Sequence, residues 1–125
     1  MAYDRTLNTI RHIIEQFAFS KVKSFYPETI LKFVDKPLDE IVPRLNELCK
    51  EDILQLKFEI RCPQDAYTVK IVDKIEPLIN SYFECDKCGH EFKLDLNYVY
   101  PKYYISNEYK EDIQLKKNKV YSMMY

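Results

Sequence analysis

The chain has 125 residues, of which 46% are hydrophobic, and its 19 Lys and Arg residues almost balance its 20 Asp and Glu residues. This length predicts one domain, or two small lobes that share a core. The near-neutral charge argues against a domain built mainly to grip nucleic acid, because phosphate neutralisation supplies most of that affinity. No apolar run approaches the roughly 20 residues that span a bilayer, and the start of the chain lacks the apolar core of a signal peptide. We therefore expect a cytoplasmic protein without a membrane partner.

Three helices are predicted before the first strand. A cap at Asp4 and apolar residues three and four apart predict a first helix that runs to about Phe19. Pro27 suits the first position of a short second helix, and Pro37 ends it. A third helix follows Pro37, with Pro43 near its first turn. The apolar positions of the first and third helices are Leu7, Ile10, Ile14, Phe17, Leu38, Ile41, Leu45 and Leu48.

A strand follows directly, because the apolar period changes from helical to two. Apolar and polar residues alternate from Leu54 to Cys62, which is typical of a half-buried strand. The alternation assigns one set of side chains to the core and the other to solvent. The inward set is Leu56, Phe58, Ile60 and Cys62, and the outward set is Gln55, Lys57, Glu59 and Arg61.

This order of elements resembles the winged-helix family over residues 3–62. The likeness is carried by Pro27-Glu-Thr-Ile30, Leu38-Asp-Glu-Ile41 and Leu45-Asn-Glu-Leu48, which lead into Asp52-Ile53-Leu54. Three helices, a tight turn before Pro37 and a strand form the helix-turn-helix plan with a wing. Patterns of this kind are more specific for fold than for function.

Two short motifs carry the metal chemistry of the chain. The first knuckle is Cys62-Pro-Gln-Asp65, and the second knuckle is Cys85-Asp-Lys-Cys88, which Gly89 follows. A gap of two residues aims both side chains at one ion, and the separation of the knuckles fits paired zinc knuckles. Three thiolates and one carboxylate can complete a zinc tetrahedron. We therefore predict a structural zinc ion bound by Cys62, Asp65, Cys85 and Cys88.

Two alternatives to this site stay open. His90 is the second choice for the fourth ligand, although it lies only two residues beyond Cys88. In the other alternative the metal has been lost, and packing by Phe83, Phe92 and Leu94 holds the segment together.

The segment from Cys62 to about Leu96 resembles a zinc ribbon, with Cys-Asp-Lys-Cys-Gly as its best motif and a degenerate first knuckle. Residues 68–72 are predicted to pair with the strand before Cys62, and the residues around the second knuckle to form a hairpin. The expected fold class is α+β, a three-helix winged helix-turn-helix that continues into a zinc-ribbon-like antiparallel sheet. The expected domains are 1–61, 62–105 and a C-terminal tail, 106–125.

Aromatic residues dominate the segment 97–105, which we expect to form either a final edge strand or a segment that docks on another protein. The polar, lysine-dotted tail is expected to be loose and to end in an apolar partner-binding segment. The predicted partner-binding residues are Tyr100, Tyr103, Tyr104, Tyr121, Met123, Met124 and Tyr125.

No motif of an enzyme is present in the sequence. A His-Glu-x-x-His motif is missing, and one glycine cannot make a phosphate-binding loop. We therefore expect a non-catalytic accessory subunit that docks on a larger protein. The combination is similar to winged-helix and zinc-ribbon subunits of transcription machinery. More loosely, it resembles small accessory proteins encoded beside large ATPases or nucleases in bacterial antiviral operons.

The alternative function is a DNA-binding winged helix or a nucleic-acid-binding subunit. Between Leu38 and Asp52 the third helix and its end carry five acidic and two basic residues, a net charge of −3 that repels phosphate. A modest basic patch elsewhere would have to contact the nucleic acid. Its candidate residues are Lys21, Lys23, Arg44, Lys57, Arg61 and Lys70.

Overall fold

The computed structural model describes the backbone of residues 3–124 and the side chains of residues 3–117. The chain divides into two compact units. The helical unit comprises the described parts of Met1–Gln55 and Tyr103–Tyr125, and the β unit comprises Leu56–Lys102. These boundaries differ from the predicted boundaries at 61/62 and 105/106, because the chain passes from one unit to the other within two of its strands.

The described residues mix helices with antiparallel strands, as the α+β prediction requires. The predicted first helix, third helix and long strand agree with α1, α3 and β2. None of the helices in this described part is both long and apolar enough to cross a membrane. The elements are α1 (Arg5–Phe19), β1 (Ser24–Phe25), α2 (Pro27–Ile30), α3 (Leu38–Lys50), β2 (Leu54–Arg61), β3 (Thr68–Val72), β4 (Tyr82–Glu84), β5 (Glu91–Lys93), β6 (Val99–Ile105) and α4 (Asn107–Met124), with short 3₁₀ turns at Glu76–Leu78 and Leu96–Tyr98.

Four strands form one sheet in the order β1-β6-β2-β3, and β4 and β5 form a separate two-stranded hairpin. In the helical unit β1 pairs antiparallel with β6, with Phe25 opposite Tyr103. In the β unit β2 pairs antiparallel with β3, with Phe58 opposite Val72. The segment 97–105 therefore does form a strand, β6, but the expectation of an edge strand is wrong because β6 has a neighbour on each side.

The core of the helical unit is formed by α1 with α3 and α4, and by α2 with α3. Tyr103 joins β6 to this core, since its ring stacks on Phe25 at 5.9 Å and its hydroxyl donates to Asn46 Oδ1 at 2.7 Å. Asp4 caps α1 by accepting a hydrogen bond from the Leu7 backbone N–H at 2.9 Å. The apolar stripes of the two long helices are buried as predicted, at Ile10, Ile14, Ile41, Leu45 and Leu48.

The C-terminal segment forms a helix, α4, whereas its polar sequence predicts a loose tail. Ile113 is buried, and Gln114 Nε2 donates to the carbonyl oxygens of Ala18 at 2.7 Å and Phe19 at 3.1 Å. These carbonyls belong to the last turn of α1, where the regular hydrogen bonds of the helix end, and the Ala18 carbonyl also accepts the Lys21 backbone N–H at 3.3 Å. The amide of Gln114 therefore docks α4 on α1 by satisfying the end of that helix.

The core of the β unit lies between the β2–β3 pair and the β4–β5 hairpin. It is built from buried apolar side chains together with two of the knuckle cysteines. Partly buried residues such as Phe58, Phe83 and Val99 pack around it. The buried members are Ile60, Cys62, Ile75, Cys85 and Phe92.

One residue of β2 departs from the predicted alternation. The alternation predicts a solvent-facing Glu59, but only 2% of this residue is exposed. Its carboxylate accepts hydrogen bonds from Arg61 Nε at 2.7 Å and Thr68 Oγ1 at 2.6 Å, and Lys102 Nζ lies 4.0 Å away. Arg61 also lies over the Tyr100 ring at 4.2 Å. Burial of the carboxylate is tolerated because these neighbours supply charge and hydrogen bonds.

Candidate metal centre

The first knuckle follows β2 and turns the chain sharply towards β3. The backbone N–H of Ala66 donates to the carbonyl oxygen of Cys62 at 2.9 Å, and the N–H of Cys62 donates to the carbonyl of Tyr67 at 2.9 Å. Ala66 has φ of 63°, in the left-handed region that L-residues other than glycine rarely adopt. The two hydrogen bonds close a turn that leaves the side chains of Cys62 and Asp65 on one side of the loop.

The second knuckle, between β4 and β5, repeats this turn. The N–H of Gly89 donates to the carbonyl of Cys85 at 2.7 Å, and the N–H of Cys85 donates to the carbonyl of His90 at 2.9 Å. Gly89 has φ of 75°, so it takes the position that Ala66 takes in the first knuckle. Asp65 therefore stands at the position that Cys88 occupies in the second turn.

The two knuckles bring together one candidate ligand atom from each of Cys62, Asp65, Cys85 and Cys88, and these four atoms all lie within 4.8 Å of one another. We call these four residues the metal cluster. Cys62 Sγ lies 3.7 Å from Cys88 Sγ. Cys85 Sγ lies 3.7 Å from each carboxylate oxygen of Asp65. The predicted ligands thus form one cluster that could bind a metal ion, contributed by Cys62, Asp65, Cys85 and Cys88.

Burial differs among the four ligands. Cys62 and Cys85 are fully buried in the core of the β unit, Asp65 is half-buried and Cys88 is exposed. The cluster is therefore anchored on its inner side and reaches solvent through Cys88. His90, the alternative fourth ligand, is exposed and stacks on Phe92, with the ring centroids 6.1 Å apart, and it does not belong to the cluster.

Two local interactions orient the Asp65 carboxylate and join the knuckles. The backbone N–H of Tyr67 donates to Asp65 Oδ1 at 3.0 Å, which fixes the carboxylate and leaves Oδ2 for an ion. Lys87, inside the second knuckle, places its Nζ 5.8 Å from the centroid of the Tyr67 ring. Tyr67 follows the first knuckle and Lys87 lies inside the second, so this cation–π contact joins the two knuckles. It favours their approach independently of a metal.

The electrostatics of the cluster follow from these contacts. The hydrogen bond from the Tyr67 backbone is the main reason that the pKa of Asp65 is lowered. At Cys88 the backbone N–H of His90 lowers the pKa, but desolvation and the two neighbouring thiols outweigh it and raise the pKa to about 11. A bound cation favours thiolates, so metal binding at this cluster is coupled to release of thiol protons.

The predicted nucleic-acid residues do not make one free basic patch within either unit. In the helical unit Lys21 and Lys23 are exposed, whereas Arg44 Nε pairs with Asp4 Oδ2 at 3.2 Å. In the β unit Lys57 pairs with Asp73 at 3.8 Å, and Arg61 pairs with the buried Glu59 at 2.7 Å.

Lys70 and Lys57, two of the predicted nucleic-acid residues, lie on opposite faces of the β2–β3 pair. Lys70 lies opposite Ile60 in the β2–β3 register, and directly opposed residues share a face of the sheet. Lys57 is an odd number of positions from Ile60 and therefore belongs to the other face.

The predicted partner-binding residues differ in burial, and some lie outside the described part of the chain. Tyr103 is only 1% exposed, so the assignment of Tyr103 to a partner surface is wrong: its ring fills the core between Phe25 and Asn46. Tyr100, under Arg61, and Tyr104 are half-buried. The side chains of Tyr121, Met123 and Met124, and the whole of Tyr125, lie outside the described residues.

Sequence reasoning missed a set of exposed apolar side chains at the end of the β4–β5 hairpin away from the metal cluster. Ile79, Tyr82 and Leu96 are 54%, 67% and 64% exposed. Each lies within two residues of the hydrogen bond that Leu94 N donates to Ser81 O at 2.9 Å, which closes this end of the hairpin. We call these three residues the hairpin-base group. Their spacing carries no motif, and only the hairpin register brings the two chain segments together.

The chain matches no protein-family model, no curated protein and no solved structure. The character of the site therefore rests on its own residues. Three thiols and a carboxylate, placed by two equivalent turns, make a candidate metal centre of the β unit.

Proposed function

We propose that this chain is a non-catalytic adaptor, in which a structural zinc ion holds the β unit in a form that docks on a larger protein. The metal would stabilise the β4–β5 hairpin against the β2–β3 pair. The hairpin-base group would then be a prearranged apolar contact surface. The exposure of this group at the end of the β4–β5 hairpin is the observation that carries the proposal.

The donor set supports zinc as the ion. Zinc is borderline soft and accepts thiolates readily, whereas calcium and magnesium prefer all-oxygen sites. In a zinc tetrahedron with Zn–S of about 2.3 Å and Zn–O of about 2.1 Å, the sulfur–sulfur edge is about 3.8 Å and the sulfur–oxygen edge about 3.6 Å. The 3.7 Å separations of Cys62 from Cys88 and of Cys85 from Asp65 fit these edges.

A structural role for this ion follows from its ligand count. Four protein ligands fill a tetrahedron, whereas catalytic zinc keeps one position for water or substrate. Zinc in such a site would tie β2, through Cys62, to the β4–β5 hairpin, through Cys85 and Cys88. A unit of this size gains much of its stability from such a tie.

The apolar surface supports a protein as the partner. Large apolar side chains on the surface of a small unit cost hydration free energy unless a partner covers them. Tyr82 combines a large apolar ring with a polar hydroxyl, which is typical of residues at the centre of protein interfaces. We therefore assign the contact to a protein surface with a complementary apolar pocket.

Nucleic acid is the weaker candidate partner. Three of the predicted basic residues, Arg44, Lys57 and Arg61, each form an ion pair with a carboxylate of the same unit. Phosphate binding would have to displace these carboxylates, which reduces the gain from counterion release. No arrangement of the exposed lysines favours this function over protein docking.

The order α1, β1, α2, α3, β2, β3 supports the proposal that the chain is built on a winged-helix plan, with β6 placed between β1 and β2. The ribbon proposal is supported by the matched turns of the two knuckles. The likeness to accessory subunits of antiviral complexes stays a prediction about the partner, namely a large ATPase or nuclease.

Purification of the tagged full chain from its native source tests the adaptor function. We expect one large protein in fixed ratio to the chain, and one zinc ion per chain by elemental analysis. The double variant Tyr82→Ser, Leu96→Ser should lose at least about tenfold in affinity for that protein, since removal of two central apolar anchors costs more than about 1.4 kcal/mol.

The matched control is Leu115→Ser, because Leu115 is 61% exposed but lies on α4. Equal loss of binding in the control and in the double variant would contradict the assignment of the docking surface. Zinc content must stay unchanged in all three chains, so that a lost partner cannot be ascribed to a lost fold. Salt-sensitive binding of duplex DNA by the wild type would favour the alternative function.

A further inference from the structure

All four ligand atoms of the metal cluster lie within 4.8 Å of one another, and the shortest contact between two sulfur atoms given by the structure joins the two knuckles. Cys62 and Cys88 place their sulfur atoms 3.7 Å apart. The third sulfur, that of Cys85, lies beside the Asp65 carboxylate at 3.7 Å from both oxygens. The sulfur atoms of Cys62 and Cys88, from different knuckles, are thus already in van der Waals contact. Cys85 Sγ lies within 4.8 Å of both, but it also contacts the Asp65 carboxylate, which cannot form a disulfide.

Access to solvent differs within the sulfur pair. Cys88 is exposed, whereas Cys62 is fully buried in the core of the β unit. An oxidant that arrives from solvent therefore meets Cys88 first. The buried Cys62 is placed to react with an oxidised Cys88 rather than with the oxidant itself.

We propose that the metal centre is a redox switch, in which a hydroperoxide converts Cys62 and Cys88 into a disulfide and releases the metal ion. This inference rests on the proposed zinc site and deepens it, since it assigns different roles to the ligands. Cys88 is the sulfur that attacks the oxidant, and Cys62 is the resolving sulfur. Cys85 and Asp65 remain as a pair with too few ligands to hold the ion.

The chemistry balances in two steps. The Cys88 sulfur attacks one oxygen of the hydroperoxide, the O–O bond breaks, and sulfenic acid forms while water or an alcohol leaves after protonation. The Cys62 sulfur then attacks the sulfenic sulfur, the S–S bond forms, the S–O bond breaks and one water leaves after protonation. The two sulfur atoms lose two electrons in total, and the peroxide gains them.

The switch leaves the knuckles connected. Cys62 belongs to the first knuckle and Cys88 to the second, so the disulfide joins the two turns that the metal joined. A disulfide within the second knuckle, between Cys85 and Cys88, would instead free the knuckles from each other. The cross-knuckle pairing therefore predicts that the oxidised chain keeps the β4–β5 hairpin beside the β2–β3 pair.

The test uses the full chain with its metal content measured first, treated with a modest excess of hydrogen peroxide. A chromogenic chelator follows zinc release, and free thiols are counted in parallel. We expect the free thiols to fall from four to two as one zinc ion per chain is released, with a mass decrease of about 2 Da. Peptide mapping should show a Cys62–Cys88 crosslink, and a dithiol reductant with added zinc should restore the starting state.

Variants separate this pairing from its competitors. Cys49→Ser, which removes the thiol outside the cluster, should release zinc and form the same crosslink as the wild type. Cys88→Ser should form no crosslink to Cys62 under the same treatment. A Cys85–Cys88 crosslink, an intermolecular disulfide, zinc release with sulfinic acid at Cys88, or zinc retained with all thiols intact would each overturn the switch.

The same experiment distinguishes failure of the switch from failure of the zinc proposal. If the purified chain holds no zinc, the structural zinc role fails, and the crosslink map of that chain still decides the sulfur pairing. If zinc is present and Cys62 stays reduced, the zinc role stands and the switch fails.

Discussion

The two knuckles of the β unit make the same turn from different sequences. Both turns use the same pair of backbone hydrogen bonds, from the residue after the second ligand position and from the first cysteine itself. They share only the first cysteine, and the two differences that bear on the site are neighbours: Asp65-Ala66 in the first knuckle corresponds to Cys88-Gly89 in the second. The backbone thus sets the direction of the ligands, and the identity of the ligand is left free to vary.

The difference also shows where each knuckle carries a cost. Ala66 holds φ of 63° without the freedom of glycine, which costs about 1–2 kcal/mol relative to ordinary backbone. Gly89 adopts φ of 75° without that cost. The first knuckle therefore combines a strained turn with a harder ligand, and the second combines a relaxed turn with a thiolate. We therefore expect the first knuckle to contribute less than the second to binding of the proposed zinc ion.

Removal of the metal is expected to have the largest effect, because it breaks both knuckles at once. Structural zinc contributes on the order of 10 kcal/mol to the folding of small metal units. We expect a strong chelator to abolish the hydrogen-exchange protection of amides in β2, β4 and β5. Amides in α1 and α3 should keep most of theirs, because the helical unit holds none of the four ligands.

Hydrogen-exchange mass spectrometry of the loaded and chelated chain measures this contrast directly. Cys49→Ser serves as the control, since a cysteine outside the cluster should not change the response to chelator. Equal loss of protection in both units, or no loss in either, would contradict a metal role confined to the β unit.

Exchange of the differing ligands should have the next largest effect. Asp65→Cys makes the ligands of the two knuckles alike and should raise zinc affinity about 10–100-fold, that is, by about 1.4–2.7 kcal/mol, because thiolates suit zinc better than a carboxylate does. Cys88→Asp should lower the affinity by a similar factor. Competition with a zinc-binding dye measures both.

Asp86→Asn is the matched control for these ligand variants. Asp86 is an exposed acid inside the second knuckle, but it is not one of the four ligands. Its substitution should leave zinc affinity nearly unchanged. An unchanged affinity in Asp65→Cys would mean that Asp65 does not ligate the ion.

A smaller effect is expected at high pH in the helical unit, which depends on burial rather than on a metal. Burial raises the pKa of Tyr103 to about 12, above the ordinary value of about 10. Its contribution to stability is thus fully present below about pH 10 and is lost as pH rises towards 12, because the unfolded chain ionises first. At pH 11.5 the expected loss of unfolding free energy is about 2 kcal/mol.

Urea unfolding at pH 9 and pH 11.5 checks this prediction, with Tyr103→Phe as the variant that lacks the ionisable group. The difference between the two pH values should shrink by about 2 kcal/mol in Tyr103→Phe relative to wild type. Tyr82→Phe, which removes an exposed hydroxyl, should behave as wild type. A wild-type loss that Tyr103→Phe leaves intact would mean that another group controls the alkaline transition.

The smallest effect concerns the left-handed residues of the two turns. Ala66→Gly should stabilise the zinc-loaded chain by about 1 kcal/mol, because glycine relieves the backbone strain. Gly89→Ala should destabilise it by a similar amount. A Cβ at Gly89 would meet no atom within 4 Å, so the penalty there comes from the backbone alone.

The unfolding midpoints of the two zinc-loaded variants measure these changes in stability. Because the two changes are expected to be opposite in sign, each variant is the control for the other. If both variants destabilise the chain, then the turns do not share one geometry, and the comparison of the knuckles fails.

The metal cluster could be predicted from sequence because its geometry is local. A two-residue gap and a closed backbone turn fix where two side chains point, whatever lies elsewhere in the chain. Asp65 was found by position alone, as the residue that corresponds to Cys88. The strain at Ala66 was available in principle, since it occupies the place of Gly89.

Features that depend on distant partners could not be predicted in this way. The alternation of β2 places Glu59 in solvent, and only the fold brings Thr68 and Lys102 to cover it. The polar sequence of α4 predicts a loose tail, but this segment is a helix. Gln114 docks it by donating to the last carbonyls of α1. The sequence predicts that Tyr103 contacts a partner. Its burial becomes clear only from the position of β6 between β1 and β2.

The chain leaves the helical unit after Gln55 and returns to it at Tyr103, and these points are close in that unit: the backbone N–H of Ser106 donates to the carbonyl of Ile53 at 3.0 Å. An inserted segment whose two ends lie close together adds little loop-closure entropy to the folding of the unit that carries it. The β unit, which holds the candidate metal site, is thus an insertion in the helical unit. We expect a chain in which a short linker replaces Leu56–Lys102 to keep α1, α3 and α4 packed together.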